Sequence, residues 1–348
     1  MVPMTLATAI KTGDVSQLPS RRDEDWRWTD LRGLLRTLPP QPDHADVTTD
    51  GPFAALGGEL FLVPNGFAEG FTHIEAATGE TEVAQLRFVA ADPGSITTTV
   101  LVAVRAGATL TLLESYEALA DGAVSNIALD IEIAEGGRLE RVVLAADGAE
   151  SVTVSTATVR LAAGATFNQT ILTSGARRQR IETHVAHPGQ GAAVRLDGVY
   201  LLRDQRHADL TTVVTHAGRD GTTSQLTKGV VRDQARGVFQ GRIVVERGAD
   251  GTEARMGHHA LILSDKAEVD AKPELLIFAD DVQCAHGNTV GALDEAAIFY
   301  ARQRGMPEAV ARAMLTEAFV GEVVDRIDDE FARDVARAWV SQQLGMSE

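Results

Sequence analysis

The sequence predicts a mainly β protein, with a parallel β-helix (β-solenoid) core flanked by an N-terminal and a C-terminal α-helical region. From about residue 95 onward, short segments rich in Val, Ile, Leu and Thr alternate with glycine-containing turns, as successive strands do. No convincing helix interrupts them before residue 293, and apolar side chains follow a helical spacing after that point. These patterns favour strands in the middle of the chain and helices at its ends.

Within the strand-rich part, glycine recurs at a nearly fixed period. The turn segments RAGATLTLLE (105–114) and AAGATFNQTIL (162–172) resemble each other. The recurring glycines are spaced 29, 28, 27, 27 and 30 residues apart, at Gly107, Gly136, Gly164, Gly191, Gly218 and Gly248. A period of about 28 fits two or three short strands per turn of a β-helix, whereas a propeller blade needs about 40 residues. A β-sandwich with coincidental glycine spacing is the alternative.

Changes in these patterns divide the chain into three regions. Residues 1–90 are predicted as an N-terminal helical and irregular region, residues 91–290 as the β-helix core, and residues 291–348 as the C-terminal helical region. An open coil end exposes unpaired backbone groups, so a β-helix needs both ends closed. The C-terminal helices are suited to cover or flank one end.

The N-terminal region begins with helical spacing. In SRRDEDWRWTDLRGLL (20–35), Trp26 is followed by leucines that could share one helical face. We interpret Trp26 and Trp28 as anchors that hold this segment against the body of the protein. Residues 39–52 are rich in Pro and Asp and are predicted as a loop, and residues 53–90 as irregular with a few strands.

The C-terminal region contains three predicted helices. The first begins at Asp294 and ends at Gly305, and the second begins at Pro307, since proline is favoured in the first turn. A third follows Asp329. These helices either pack on the solenoid, which their apolar pattern favours, or form a docking surface for a partner.

Composition restricts the possible functions. Hydrophobic residues make up 44% and charged residues 23% of the chain, as in soluble globular proteins. A net charge of −17 argues against binding to nucleic acid or to an anionic membrane. A single cysteine cannot form an internal disulfide, the N-terminus lacks a secretory signal pattern, and no run is long enough to cross a membrane. We therefore expect a cytoplasmic protein.

Common catalytic motifs are missing from the sequence. It contains no phosphate-binding P-loop, G-x-S-x-G elbow, H-E-x-x-H pair or dinucleotide-binding glycine fingerprint. We therefore expect no nucleotide hydrolysis by this chain, and we assign no catalytic residue. The alternative is a β-helix carbohydrate-active hydrolase or lyase, which needs two carboxylates facing one groove. Its candidate acids are Asp197, Asp209 and Asp233.

Cys284 and His286 are the candidate metal ligands. Residues two apart on a strand point to the same face, so the thiol and imidazole would stand side by side. Both bind iron, zinc or copper(I), but structural zinc and iron–sulfur sites use four ligands. Asp280 has the same strand parity, but its carboxylate only partly makes up for the two missing ligands. The pair is therefore half of a metal site, unless it is a small buried cysteine beside a hydrogen-bonded histidine, which spacing alone favours.

The other histidines are expected to be structural or on the surface. Adjacent residues on a strand point to opposite faces, so His258 and His259 cannot easily bind one ion together. We predict that one faces inward and the other outward. His207 and His216 lie in separate strand segments and are predicted to be structural or exposed.

Three segments resemble the SufB/SufD family of the SUF iron–sulfur cluster assembly machinery. The most specific spans AEVDAKPELLIFADDVQCAHGNTVGALDEAAIFYARQRG and continues to residue 319. SQLTKGVVRDQARGVFQGRIVV (224–245) and LPSRRDEDWRWTDL (18–31) extend the resemblance. The likeness is to the SufD branch, because SufB proteins carry extra cysteines and a Glu where this chain has Gly287.

The resemblance implies a right-handed parallel β-helix and a non-catalytic scaffold subunit. It implies a heterodimer with a SufB-like subunit and a SufC-like ABC-type ATPase docked on the C-terminal helices. It also implies that His286 faces SufB and, with Cys284 in support, holds iron or a transient iron–sulfur cluster. Reduced flavin is associated with the family complex, although this sequence shows no flavin motif. A homodimer of the isolated chain is the remaining alternative.

Overall fold

The computed structural model describes residues 5–67, 72–187 and 189–345. The helices are α1 (Thr5–Thr12), α2 (Leu31–Leu34), α3 (Glu295–Gln303), α4 (Glu308–Val324) and α5 (Glu330–Gln343). The strands are β1 (Glu59–Pro64), β2 (His73–Ala76), β3 (Thr81–Ala90), β4 (Ser95–Val104), β5 (Thr109–Ala118), β6 (Val124–Ile133), β7 (Arg138–Ala146), β8 (Val152–Leu161), β9 (Thr166–Thr173), β10 (Arg178–His187), β11 (Ala193–Leu202), β12 (His207–His216), β13 (Thr222–Val231), β14 (Arg236–Val245), β15 (Thr252–Ile262), β16 (Glu268–Ile277) and β17 (Val282–Gly291).

Two parallel sheets stack face to face to form the solenoid. The nine odd-numbered strands form one sheet and the eight even-numbered strands form the other, each ordered along the chain. Every strand from β3 to β17 pairs in parallel with the strand two before it. For example, Thr109 of β5 pairs with Arg138 of β7, and Arg138 pairs with Thr166 of β9. Each coil therefore contributes one strand to each sheet. The predicted mainly β fold with a parallel β-helix core is confirmed.

The glycine period arises from the turns between strands. Gly107, Gly136 and Gly164 have φ angles of 65°, 65° and 63°, a region in which side chains are strained and glycine is not. The predicted glycine period does not hold at Gly218, where the residue with positive φ (57°) is Asp220 instead. Aspartate tolerates this conformation better than most residues, so the later coils keep their turns while their sequence repeat fades.

The interior of the solenoid is filled by residues that alternate along each strand and stack in columns between strands. One such column, Leu110, Leu139, Phe167 and Val194, is completely or almost completely buried. Each such side chain contributes roughly 1.5–3 kcal/mol by leaving water. Apolar columns of this kind supply most of the stability of the fold.

An ion pair also lies inside the solenoid. The guanidinium of Arg141 donates to both carboxylate oxygens of Glu114 at 2.7 Å, and both side chains are fully buried. Tyr116 donates to the same carboxylate at 2.6 Å, and Gln169 accepts from Arg141 at 2.6 Å. Every charge in the network therefore has a partner, as burial in a low-dielectric interior requires.

The stacked sheets begin at Glu59, inside the region predicted to be helical and irregular. The helical spacing of 20–35 produces only the 3₁₀ turn Glu24–Trp26 and the one-turn helix α2. The side chain of Asp23 accepts from the backbone of Ser20 and that of Asp30 accepts from Gly33. Such local side-chain bonds compete with a continuous helix.

The N-terminal segment lies on the outer face of the eight-stranded sheet. Arg180 of β10 lies 4.5 Å from the centre of the Trp26 ring and donates to the backbone carbonyl of Asp25 at 2.7 Å. The backbone carbonyl of Trp28 accepts from His207 at 3.0 Å. Trp26 and the Trp28 backbone therefore anchor this segment, in line with the interpretation from sequence.

The C-terminal helices lie on the outer face of the nine-stranded sheet. The apolar sides of α4 and α5 pack against outward residues of that sheet such as Leu144 and Val199. Lys228 forms an ion pair with Glu322. Asp197 forms a second ion pair, with Arg326, at 3.0 Å. The helices therefore pack along the solenoid, as the apolar pattern favours. Among the described residues, no helix is both long and apolar enough to cross a membrane.

Candidate functional site at the terminal coil

The last coil of the solenoid leaves two strand edges uncovered. Across the described residues, β16 pairs only with β14 and β17 only with β15, so each is the final strand of its sheet. Such edges carry backbone N–H and C=O groups that can pair with another chain. Apolar side chains lie exposed beside them: Leu276 is 43%, Ile277 41%, Phe278 58% and Val290 46% exposed. The terminal coil thus combines two features of a protein-binding surface.

Cys284 and His286 lie on β17 and point to the same face. The register pairs Cys284 with Ala254 and His286 with Met256, both of which are buried in the interior. Because side chains alternate along a strand, Cys284 and His286 extend two interior columns into the terminal coil. No further strand of the described chain covers them.

The two residues differ in accessibility. The Cys284 side chain is half-buried against the interior apolar cluster, and burial raises the pKa of its thiol above the ordinary value. The free thiol is therefore protonated at neutral pH. His286 is exposed, so its ring nitrogens are open to a ligand or a partner.

A buried histidine lies beneath this coil. His258 of β15 stacks on Phe239 with ring centroids 4.8 Å apart and an interplanar angle of 1°. Its Nε2 is 2.8 Å from the Tyr200 hydroxyl, and its Nδ1 is 2.7 Å from Oδ1 of Asn288 on β17. Burial lowers the pKa of His258 to about 4, so the ring is neutral at pH 7.

The neighbouring histidine points the other way. His259 is only partly buried, and its Nδ1 lies 2.7 Å from the hydroxyl of Thr289 on the outer face of β17. The prediction that one of the two histidines faces inward and the other outward is confirmed. Sequence reasoning missed Asn288, although its spacing from His286 signals the same face. Tyr200 gave no local signal, because it lies 58 residues from His258.

The remaining candidate ligands do not complete a metal site. Asp280 lies exposed in the turn before β17, not on the strand. Within residues 5–67, 72–187 and 189–345, no three or more His, Cys, Asp or Glu side chains are grouped to hold a metal ion. In the described part of the chain, Cys284 and His286 therefore stand as a pair with no further His, Cys, Asp or Glu grouped beside them.

His207 and His216 are structural, one of the two roles predicted for them. Both are buried, and His216 Nε2 lies 2.9 Å from the Thr223 hydroxyl. The His216 ring also lies 3.8 Å from that of His187, centre to centre. Burial lowers the pKa of His207 to about 4 and that of His216 to about 3.

The three candidate acids of the carbohydrate-enzyme alternative do not share a groove. Asp197 faces the C-terminal helices, where it pairs with Arg326. Asp209 lies under the N-terminal segment, where it accepts from Arg180 at 2.8 Å. Asp233 lies in an exposed turn. Because two carboxylates must flank one glycosidic bond, this arrangement gives no support to glycoside hydrolysis by these residues.

The C-terminal helices also expose apolar side chains. The residues facing solvent are Phe299 (62% exposed), Tyr300 (61%), Val310 (44%), Met314 (46%) and Phe331 (68%). They lie on α3, α4 and α5, while other residues of the same region pack on the solenoid. The region therefore packs on the core and still presents an apolar surface.

Comparison with known proteins shows similarity to one family. The protein-family model described as "SUF system FeS cluster assembly, SufBD core domain" matches residues 87–319. The chain is 28% identical to the iron–sulfur cluster assembly protein SufD of Escherichia coli, over 97% of this chain and 91% of that protein. It is 32% identical to SufD of Bacillus subtilis over 41% of this chain and 32% of that protein. A SufBD family protein of Mycobacterium bovis is 26% identical, over 96% and 91%.

Proposed function

Because the chain belongs to the SufB/SufD family of the SUF system, we propose that it is a scaffold subunit for iron–sulfur cluster assembly. In this proposal it catalyses no reaction itself, and ATP hydrolysis takes place in a SufC-type partner. The observation that carries the proposal is the incomplete ligand pair, Cys284 and His286, at an uncovered end of the solenoid. A site that lacks ligands and lies at an open edge suits assembly between two subunits.

A SufB-type subunit is the proposed partner at the terminal coil. The free edges of β16 and β17 can accept strands from a second chain, which would extend both sheets across the interface. The exposed Leu276, Phe278 and Val290 would supply apolar contact. Pairing here would bring donor groups of the partner toward His286.

His286 is proposed as the first ligand to iron and Cys284 as the second. A neutral imidazole nitrogen binds iron without losing a proton. Cys284 must first become a thiolate, and burial disfavours that charge. Metal binding at Cys284 would therefore release a proton and depend on pH. The cluster is cargo that forms between subunits and leaves.

The C-terminal helical region is proposed as the docking surface for the ATPase. Its exposed Phe299, Tyr300 and Phe331 provide apolar contacts, and hot spots of interfaces are often aromatic. The ion pairs of Glu322 and Arg326 tie α4 and its C-terminal end to the nine-stranded sheet. A movement of the docked ATPase would therefore pull on the sheet that carries β17. The single cysteine suits a reducing compartment, and we place this assembly in the cytoplasm.

The first test is co-purification with SufB-type and SufC-type partners. Mass measurement of the complex should give a heterodimer with bound ATPase, and a homodimer in the presence of both partners would contradict the proposed pairing.

The second test replaces His286 with Ala in the assembled complex. Cluster content, measured as iron and labile sulfide, should fall by about tenfold or more, since even supporting residues of metal sites cost 10–100-fold when removed. The matched control is Gln283→Ala, which removes an exposed side chain of opposite parity from the same strand. An assembled His286→Ala complex with unchanged cluster content would refute the proposed role.

A further inference from the structure

Asn288 is the third residue on the face of β17 that carries Cys284 and His286. The three positions are two residues apart, so their side chains alternate to the same side of the strand. The register pairs Asn288 with the buried His258, just as it pairs His286 with Met256. Asn288 itself is exposed.

The buried layer determines how the Asn288 amide is oriented. A neutral imidazole has one N–H donor and one acceptor nitrogen. The amide oxygen lies 2.7 Å from His258 Nδ1 and can only accept, so Nδ1 carries the proton. Nε2 then accepts from the Tyr200 hydroxyl at 2.8 Å. Stacking on Phe239 holds the ring plane, so the chain from Tyr200 to Asn288 has one consistent direction.

This orientation leaves the amide nitrogen of Asn288 directed away from His258. Its oxygen is engaged by the histidine, and no partner for its NH2 group occurs in the described part of the chain. Two N–H donors are therefore presented, in a set orientation, on the exposed face beside His286.

We propose that Asn288 donates a hydrogen bond to sulfide bound at the His286 site, and that Tyr200 and His258 position it for this. This inference rests on the proposed function and adds a residue that binds the sulfide of the cluster. Bridging sulfides carry negative charge and accept N–H hydrogen bonds, and such bonds tune the reduction potential of a cluster. His286 would bind iron while Asn288 binds the sulfur beside it.

The test uses two substitutions in the complex with SufB-type and SufC-type subunits, reconstituted with ferrous iron and sulfide. Asn288→Asp keeps an oxygen for His258 and removes the donors, and Asn288→Leu removes both functions without adding charge. We expect both variants to retain about tenfold less labile sulfide and to hold a cluster of more negative reduction potential. The more negative potential follows from losing a donor that stabilises the more negatively charged, reduced cluster.

The matched control is Thr289→Val on the same strand. Thr289 also contacts a β15 histidine, His259, but on the opposite face. This variant loses a comparable hydrogen bond, and its sulfide content and potential should equal those of the unaltered complex.

A second measurement is independent of cluster formation. Nitrogen NMR of His258 in the full-length chain should show the tautomer with the proton on Nδ1. His258→Phe, which keeps a ring to stack on Phe239, should lower sulfide retention in the same direction as the Asn288 variants.

The outcomes separate this inference from the proposed function. If His286→Ala leaves the cluster intact, the proposed function fails. If His286→Ala removes the cluster while both Asn288 variants match Thr289→Val, the role of Asn288 is wrong and the proposed function stands. A proton on Nε2 of His258 would also overturn the inference.

Discussion

The covered coils and the terminal coil of this solenoid use the same columns of inward residues for different purposes. On β15, Ala254 and Met256 are buried because β17 lies over them. On β17, the same columns continue as Cys284 and His286, and no strand of the described chain follows. The position in a column determines where a side chain points. Coverage by the next coil determines whether that side chain is buried or accessible.

The histidines show the same difference. His187, His216 and His258 lie within covered coils, where burial lowers each pKa and keeps the rings neutral. His286 lies at the uncovered end and is exposed. Coverage by the next coil thus keeps these three histidines buried, and its absence leaves His286 accessible.

The largest expected effect is acid destabilisation of the covered coils. Burial lowers the pKa of His187 and His207 to about 4 and that of His216 to about 3, whereas unfolded histidine titrates near 6.5. The unfolded chain therefore binds the additional protons. The contribution of these neutral histidines to the free energy of unfolding is complete above pH 6.5 and is lost as the pH falls toward 4. Urea unfolding at pH 7 and pH 5 should differ by roughly 1–2 kcal/mol per histidine, which is roughly 3–6 kcal/mol for the three together.

His187→Leu sharpens this prediction. Neither ring nitrogen of His187 has a hydrogen-bond partner among the described residues, so the substitution removes a titrating group without breaking such a bond. The stability of the variant should depend less steeply on pH. An unchanged pH dependence would show that this histidine is not kept neutral by the fold.

The next largest effect concerns the buried ion pair. Arg141→Met leaves the Glu114 carboxylate without its cation inside the solenoid, which should lower the free energy of unfolding by about 3–5 kcal/mol. His286→Ala on the exposed face should change it by less than about 0.5 kcal/mol. Denaturant unfolding of the two variants compares the regions directly.

A double variant provides the control for that pair. Replacing Glu114 with Leu together with Arg141→Met removes both charges, and most of the lost stability should return. If the double variant is no more stable than Arg141→Met, the cost arises from packing and not from an unpaired charge.

The smallest effect is on partner binding at the terminal coil. Phe278→Asp should weaken binding of a SufB-type subunit by about 2 kcal/mol or more, roughly 30-fold, because it places a charge in the proposed apolar interface. Calorimetric titration measures this change. Phe278 is 58% exposed, so the variant should fold normally. Leu119→Asp is the control, since that residue is 68% exposed and directly follows β5, outside the terminal coil. An equal loss of binding in the Leu119 variant would argue against a specific interface.

Much of the fold could be predicted from local backbone requirements. A turn that needs positive φ selects glycine, and its recurrence near every 28 residues reveals the coil. The start of the sheets at Glu59 could not be predicted in this way, because the first strands are short and lack the full repeat. The helical spacing of 20–35 produces only short turns, because Asp23 and Asp30 bind nearby backbone groups.

The candidate site was predictable only where it depends on neighbours in sequence. The spacing of Cys284 and His286 places them on one face of any extended strand. The buried layer beneath them could not be foreseen, because Tyr200 and His258 are 58 residues apart and meet through the stacking of coils.

The coil period, the strand-rich core, the helical C-terminus and the shared face of Cys284 and His286 could all be predicted from the amino-acid sequence, since each follows from backbone geometry over a few residues. The position of the C-terminal helices on the outer face of the nine-stranded sheet, and of β16 and β17 as uncovered final strands, depends on contacts between distant parts of the chain. The reason is that coverage depends on which distant elements compete for the same apolar surface. His286 is exposed because no described strand follows β17, whereas His258 is buried because β17 pairs with the strand that carries it.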